Sequence, residues 1–189
     1  MVRGVGMVEE VSITHIANTL KSLSRTGWML KGVPCALAET VAEHSYLTSL
    51  IALDLSSRLK IRGVNIDPLK TTSLALIHDV AEAFIGDIAK TFDKLTGEVK
   101  AEVELKVAEE NIKNKFLLDL YKDFSEGKTI EAKIARLCDY LATYIQAVRY
   151  EKIGFDISDI KLNMYKKILG LAEDLGMKEL VMNYIKHGQ

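Results

Sequence analysis

Residues 71–87 read TTSLALIHDVAEAFIGD, an apolar run from Leu74 to Ile77 that leads straight into His78 and Asp79. The apolar positions recur at helical rather than strand spacing. The stretch therefore predicts one helix that stops near Gly86. On such a helix Leu74, His78 and Glu82 fall at i, i+4 and i+8 and share a stripe, with Ile77, Ala81 and Ile85 beside it. Polar side chains near a core-facing stripe are costly unless something satisfies them. A metal ion would do so. A helix end that reaches solvent, leaving Asp79 and Glu82 exposed, is the plainer alternative.

The rest of the chain reads in the same period. A first helix is expected from about Glu9 to Leu23. Ser24 to Glu39, which contains Gly27, Gly32 and Pro34, reads as a loop. Thr40, with Glu43 three residues on, forms a capping-box signature for a second helix through LTSLIALDLSSRL. Gly63 to Asp67 breaks the pattern, and Pro68 suits the first turn of the helix that carries His78. After a loop around Asp87 to Gly97 comes one charged helix, VKAEVELKVAEENIKNKFLLDLYKDF, whose alternating Glu and Lys read as a solvated face. Gly127 separates it from TIEAKIARLCDYLATYIQAVRYEKI, and two shorter helices follow, broken near Gly154 and Gly176. The expected fold is all-α.

Two further polar residues sit on apolar faces. His44 lines up with Leu47, Ile51 and Leu55 at i, i+3, i+7 and i+11. Asp139 lies at the edge of the stripe Ile134, Leu137, Cys138, Leu141, Tyr144 and Ile145, beside the small residues Ala135 and Ala142. A carboxylate there wants a cation, which Arg136 or a metal could supply. Two histidines and two aspartates thus occur in the order His, His-Asp, Asp on three helices. Imidazole and carboxylate ligands suit divalent first-row metals. Four protein ligands on an octahedral ion leave positions open for water and substrate.

Composition bounds the function. The 189 residues suit one domain with a real core, and 48 % of them are apolar. The formal net charge of −1 supplies no basic excess for nucleic-acid backbone. The two cysteines, Cys35 and Cys138, lack CxxC spacing, which excludes a zinc ribbon and suits a reducing cytoplasm. The N-terminus MVRGVGMVEEVS has no signal-peptide core, and no apolar run reaches membrane-spanning length.

The ordered set AEHSYL (42–47), LIHDVAEAFIGDIAKTF (76–92) and ARLCDYL (135–141) resembles the HD-domain superfamily of metal-dependent phosphohydrolases. RTGWMLKGV (25–33), followed by ETVAEH (39–44) and HDVAEAFIGD (78–87), is similar to a narrower group, the YfbR-like 5'-deoxynucleotidases and their archaeal and eukaryotic relatives. The likeness runs from about Leu20 to Gly154. It implies a single HD-domain helical bundle over residues 1–189, with the motif core at about 20–154 and the C-terminal helices packed on it.

The resemblance also implies roles. His44, His78, Asp79 and Asp139 match the metal ligands, and Glu82 matches the catalytic carboxylate that handles the attacking water. Arg25 matches the arginine that grips the substrate phosphate, a task suited to a guanidinium fork. Asp87 matches a residue that contacts the sugar. In the bacterial enzymes a tryptophan directly follows the arginine, whereas here Thr26 and Gly27 precede Trp28. Trp28 is therefore either a nucleoside contact or a core residue. Lys90 and Thr91 are candidates for extra phosphate contacts, or simply exposed loop. Only His15 and His187 remain beyond the motif, so one metal is expected: manganese, cobalt, nickel, iron, zinc or magnesium. The implied reaction is hydrolysis of (deoxy)nucleoside 5'-monophosphates by a cytoplasmic homodimer. The alternatives are another HD phosphohydrolase, acting on triphosphates, cyclic dinucleotides or guanosine polyphosphates, and a metal-binding nucleotide sensor without turnover.

Overall fold

The computed structural model describes residues 11–88 and 99–187. Lys90, Thr91, the start of the first expected helix and the side chain of His187 lie outside the described residues. Among those described, the regular elements are helices, joined by one isolated antiparallel bridge between Ser24 and Thr40. None of these helices is long and apolar enough to cross a membrane.

The helices are α1 (Ile13–Ser22), α2 (Thr26–Met29), α3 (Val41–Ile61), α4 (Pro68–Ile77), α5 (Glu82–Ile85), α6 (Val99–Asn111), α7 (Lys115–Glu126), α8 (Ile130–Lys152), α9 (Ser158–Asp174) and α10 (Lys178–His187). Local chemistry sets several of these ends. Thr40 and Glu43 make a reciprocal capping box at the start of α3. Asp67 caps α4 ahead of Pro68 by accepting from the amides of Leu69 and Lys70. Thr129 caps α8 through the amide of Ala132.

α3, α4 and α8 pack on one another, and α9 lies along α8. Their shared core includes Leu55, Leu74, Ile134, Leu137 and Leu141, each fully buried. Each such side chain contributes about 1.5–3 kcal/mol by leaving water. Small residues on α8 (Ala132, Ala135 and Ala142) are also fully buried, which lets its neighbours approach closely. A second apolar cluster, around Ile16, Ile77, Val80, Ala108 and Tyr121, joins α1, the end of α4, α6 and α7. A third holds Trp28 and Val33 against Ala147, Tyr150 and Ile157.

Three expectations are corrected. The segment from Ser24 to Glu39 is not all loop, because Thr26–Met29 forms α2. The long charged helix is two helices, with Asn114 capping the second through the amide of Leu117. The helix through His78 does not run unbroken to Gly86. It ends at Ile77, passes through turns and resumes as α5. The amides of Val80, Glu82, Ala83 and Phe84 each bond to a carbonyl three residues back, at 3.0–3.2 Å. This tighter winding replaces the α ladder at the point where His78 and Asp79 leave the helix.

Candidate active site

His44 projects from the first turns of α3, His78 caps the end of α4 and Asp139 sits midway along α8. The crossing of those three helices brings one ligand atom from each residue within 4.8 Å of the others. All three residues are buried. His44 Nε2 lies 3.0 Å from Asp139 Oδ1, and His78 Nε2 lies 4.0 Å from the same oxygen. The ring of His78 is oriented by its Nδ1, which sits 2.7 Å from the carbonyl of Ala75. A carbonyl only accepts, so Nδ1 carries a proton and Nε2 is the nitrogen whose lone pair a cation could take.

That lone pair has no hydrogen-bond partner among the described residues, although Asp79 Oδ2 is 3.0 Å away. A buried, unpartnered nitrogen beside a carboxylate and a second imidazole fits a divalent first-row cation. Asp79 stands beside the trio rather than in it. Its Oδ2 meets Arg25 Nη1 at 3.2 Å. Three of the four expected ligands are thus together, and the fourth is turned toward a guanidinium. His15 is exposed on α1 and apart from the cluster.

Glu82 opens α5 and is buried, with Oε2 unpartnered. Burial, then the nearby Asp79 and Asp87, push its carboxyl up to about 10. His44 is held down near 4 by burial and by Arg25, so its imidazole is neutral, as a ligand must be. Asp79 is held well below the usual carboxylate range: His78 and Arg25 outweigh its burial. His78 moves the other way, because Asp79 and Asp139 outweigh its burial. A divalent cation between these groups would reverse that last preference.

Arg25 is stripped of most water yet stays charged, held by Asp79, Glu39, Asp139 and Glu82. Asp87 follows Gly86, which takes a φ of 79° at the end of α5. Its carboxylate accepts from the backbone amide of Thr26, and its carbonyl accepts from the Thr26 hydroxyl at 2.7 Å. Asp87 therefore anchors the turn that presents Arg25. Trp28 is only 2 % exposed. Its indole N–H donates to Glu39 Oε1 at 2.9 Å, and its ring meets Tyr150 edge-on, with centroids 5.1 Å apart.

These groups open on a cavity of about 570 Å³. Arg25, Trp28, His78, Asp79, Glu82, Asp87 and Asp139 line it, and Tyr140, Thr143, Asn163 and Met164 contribute wall from α8 and α9. Two features were missed in the sequence. Lys100 and Glu104 of α6 also line the cavity, so this helix is not simply a solvated face. Glu39, buried beside Arg25 and Trp28, drew no assignment although it opens the string ETVAEH. An acid next to Ala38 and just ahead of a capping threonine was the available signal.

The sequence model of the HD domain family matches residues 17–176. The 5'-deoxynucleotidase HDDC2 of Dictyostelium discoideum is 35 % identical over 160 residues, covering 79 % of this chain and 82 % of that protein. The 5'-deoxynucleotidase YGK1 of Saccharomyces cerevisiae is 25 % identical over 182 residues, covering 90 % and 78 %. A solved structure of a conserved hypothetical protein from Pyrococcus furiosus superposes with a TM-score of 0.81 at 32 % identity, covering 93 % of this chain and 99 % of that one. The family match spans the segments that carry His44, His78, Asp79 and Asp139, and the chain belongs to the HD domain family.

Proposed function

We propose that this chain hydrolyses (deoxy)nucleoside 5'-monophosphates to nucleoside and inorganic phosphate with the help of one divalent metal. One observation carries the reading most directly. His78 Nε2 and Glu82 Oε2, both buried and unpartnered, share a cavity with the largely shielded guanidinium of Arg25. The relatives named 5'-deoxynucleotidase support the choice of substrate.

His44, His78, Asp79 and Asp139 would hold the metal, with manganese or cobalt first among the candidates and nickel, iron, zinc or magnesium as others. When bound there, the ion would supply Lewis-acid polarisation of phosphoryl oxygen and a more acidic water. Arg25 binds the phosphate dianion and neutralises charge on its oxygens as they move through the transition state. Glu82, its raised carboxyl returned to the ionised form by a neighbouring divalent cation, receives the proton of the attacking water as the new P–O bond forms. When the bond from phosphorus to the 5'-oxygen breaks, the same carboxyl returns a proton to the leaving oxygen. Asp87 holds the Arg25 turn and reaches the cavity, where its carboxylate can accept from a sugar hydroxyl. Trp28 backs the wall, with its N–H already committed to Glu39.

The working form is a cytoplasmic homodimer. Two free cysteines, Cys35 and Cys138, suit a reducing compartment. α3 exposes Tyr46, Leu50 and Leu53 at i, i+4 and i+7, which is an apolar face suited to a second copy. Sedimentation of the wild type and of Leu50→Glu checks this: a dimer that the substitution splits supports it, and a wild-type monomer overturns it.

Release of inorganic phosphate from a nucleotide panel, with manganese or cobalt added, tests the activity. Turnover of deoxynucleoside monophosphates is expected. Cleavage of triphosphates, cyclic dinucleotides or guanosine polyphosphates with monophosphates untouched would identify a different HD phosphohydrolase. Metal and nucleotide binding with no phosphate released would identify a sensor.

A further inference from the structure

Glu39 is the buried acid that the proposed reaction leaves without a task, and it is fixed on every side. Its amide donates to Tyr150 Oη at 2.7 Å, and that hydroxyl donates on to the carbonyl of Leu37 at 3.0 Å. Its carbonyl accepts from the amide of Arg25 at 3.0 Å. One carboxylate oxygen, Oε1, faces three groups: Trp28 Nε1 at 2.9 Å, His44 Nδ1 at 3.7 Å and Arg25 Nε at 3.9 Å. The carboxylate therefore stands between the candidate metal ligand His44 and the candidate phosphate-binding Arg25.

We propose that Glu39 is a positioning residue that selects the metal-binding tautomer of His44 and holds Arg25 at the same site. This rests on the metal-site reading above. His44 Nε2 is the nitrogen that faces Asp139 Oδ1, at 3.0 Å. It can offer a lone pair to a cation only when the ring proton sits on Nδ1. His44 Nδ1 is buried and has no hydrogen-bond partner among the described residues. Glu39 Oε1 is the acceptor that a small rotation would bring into bonding range. A proton on Nε2 would instead go to Asp139 and spend both groups on each other. A carboxylate behind a metal-bound imidazole fixes its tautomer and orientation, and losing one typically costs 10–100-fold in metal affinity or activity. The same oxygen faces Arg25 Nε while Asp79 Oδ2 faces Nη1, so the two carboxylates engage different nitrogens of the guanidinium.

The plainer role for Glu39 is to satisfy the buried indole N–H, and Glu39→Gln separates the two. A glutamine carbonyl can still accept from Trp28, but it lacks the charge that raises the basicity of a hydrogen-bonded imidazole ligand and balances Arg25. Trp28 is the only tryptophan in the chain, so indole fluorescence reports this one site. In Glu39→Gln, indole emission and thermal midpoint should stay near wild type. The zinc dissociation constant, measured by equilibrium dialysis without nucleotide, should rise roughly tenfold or more. Glu39→Asp should recover part of that loss. Wild-type zinc affinity in a folded Glu39→Gln protein would overturn the proposal.

A second measurement needs no Glu39 variant. Long-range proton–nitrogen NMR of the metal-free wild type, with the His44 signals assigned from His44→Ala, should show the proton on Nδ1. A proton on Nε2 would overturn the proposal. Both readouts concern metal binding and tautomer. A wild type that binds zinc but releases no phosphate therefore sinks the proposed activity and leaves Glu39 to be judged separately.

Discussion

Arg25 Nη1 lies 3.2 Å from Asp79 Oδ2, which pairs the candidate phosphate anchor with a candidate metal ligand. Both side chains are largely shielded from water. Substrate phosphate would have to share Arg25 with Asp79, and a guanidinium has donors enough to serve both. Arg25→Lys keeps the charge and loses the fork. It should lower kcat/KM for deoxynucleoside monophosphates by roughly 10–100-fold, the range for a lost charge-assisted hydrogen bond. An aryl phosphate should suffer equally, because the contact is with phosphate. No loss on either substrate would remove Arg25 from the site.

His78→Ala and Asp139→Ala should each purify with sharply reduced metal. Each removes a ligand atom and leaves a buried neighbour uncompensated. Elemental analysis reads this directly, and wild-type metal content in both variants would dissolve the assignment.

Glu82→Gln should keep its metal and lose turnover by about 10²-fold or more, as expected for a lost general base. The paired readout matters because Glu82 is as deeply buried as the ligands. An unchanged kcat would leave Glu82 as a structural residue at the start of α5.

Trp28→Ala should unfold the protein more easily by about 3–5 kcal/mol, since it empties a core position. Trp28→Phe fills most of that volume. If Trp28 also walls off a 2'-hydroxyl, Trp28→Phe should change the ratio of kcat/KM for a matched ribo and deoxyribo pair. Asp87→Ala should lower both members of the pair together, because it releases Thr26 beside Arg25.

Gly127→Ala probes stability away from the cavity. Gly127 ends α7 with a φ of +64°, and an added Cβ would stand 3.2 Å from Arg136 Nη1. The guanidinium of Arg136 donates to the carbonyl of Phe124 at 2.8 Å, so displacing it also frees a helix end. A loss of about 1 kcal/mol or more in urea denaturation is expected.

Helix positions and capping were legible wherever periodicity and side-chain chemistry agreed, as at Thr40 with Glu43, at Pro68 and along α8. The break after Ile77 was not. The residues from Val80 to Ile85 are as good for a helix as those before them, and the tighter turns are imposed where His78 and Asp79 face Arg25 and Asp139 across the fold. The divide within residues 99–126 was hidden for a similar reason, since Asn114 caps a helix inside an otherwise helical composition. For the site, the motif pointed to His44, His78, Asp79 and Asp139, of which the structure brings His44, His78 and Asp139 together. It said nothing of the pairing between Asp79 and Arg25. It missed Glu39 because a buried acid is explained by its neighbours in space rather than in sequence.

The bridge between Ser24 and Thr40 has a consequence for how such a chain can diversify. The amide of Val41 bonds to the carbonyl of Leu23 at 2.8 Å, and that of Arg25 to the carbonyl of Glu39 at 3.0 Å. The excursion between them is clamped at its base, while its tip carries the exposed residues Leu30 and Leu37. Doubling a clamped loop adds only about 0.6 kcal/mol of closure entropy. Residues inserted beside the exposed Lys31, ahead of the buried Val33, could lengthen the rim of the cavity, where Leu30 and Lys31 already stand, and leave Arg25 and Glu39 where they are. That tip is where new substrate preferences could be grafted at least cost to the catalytic core.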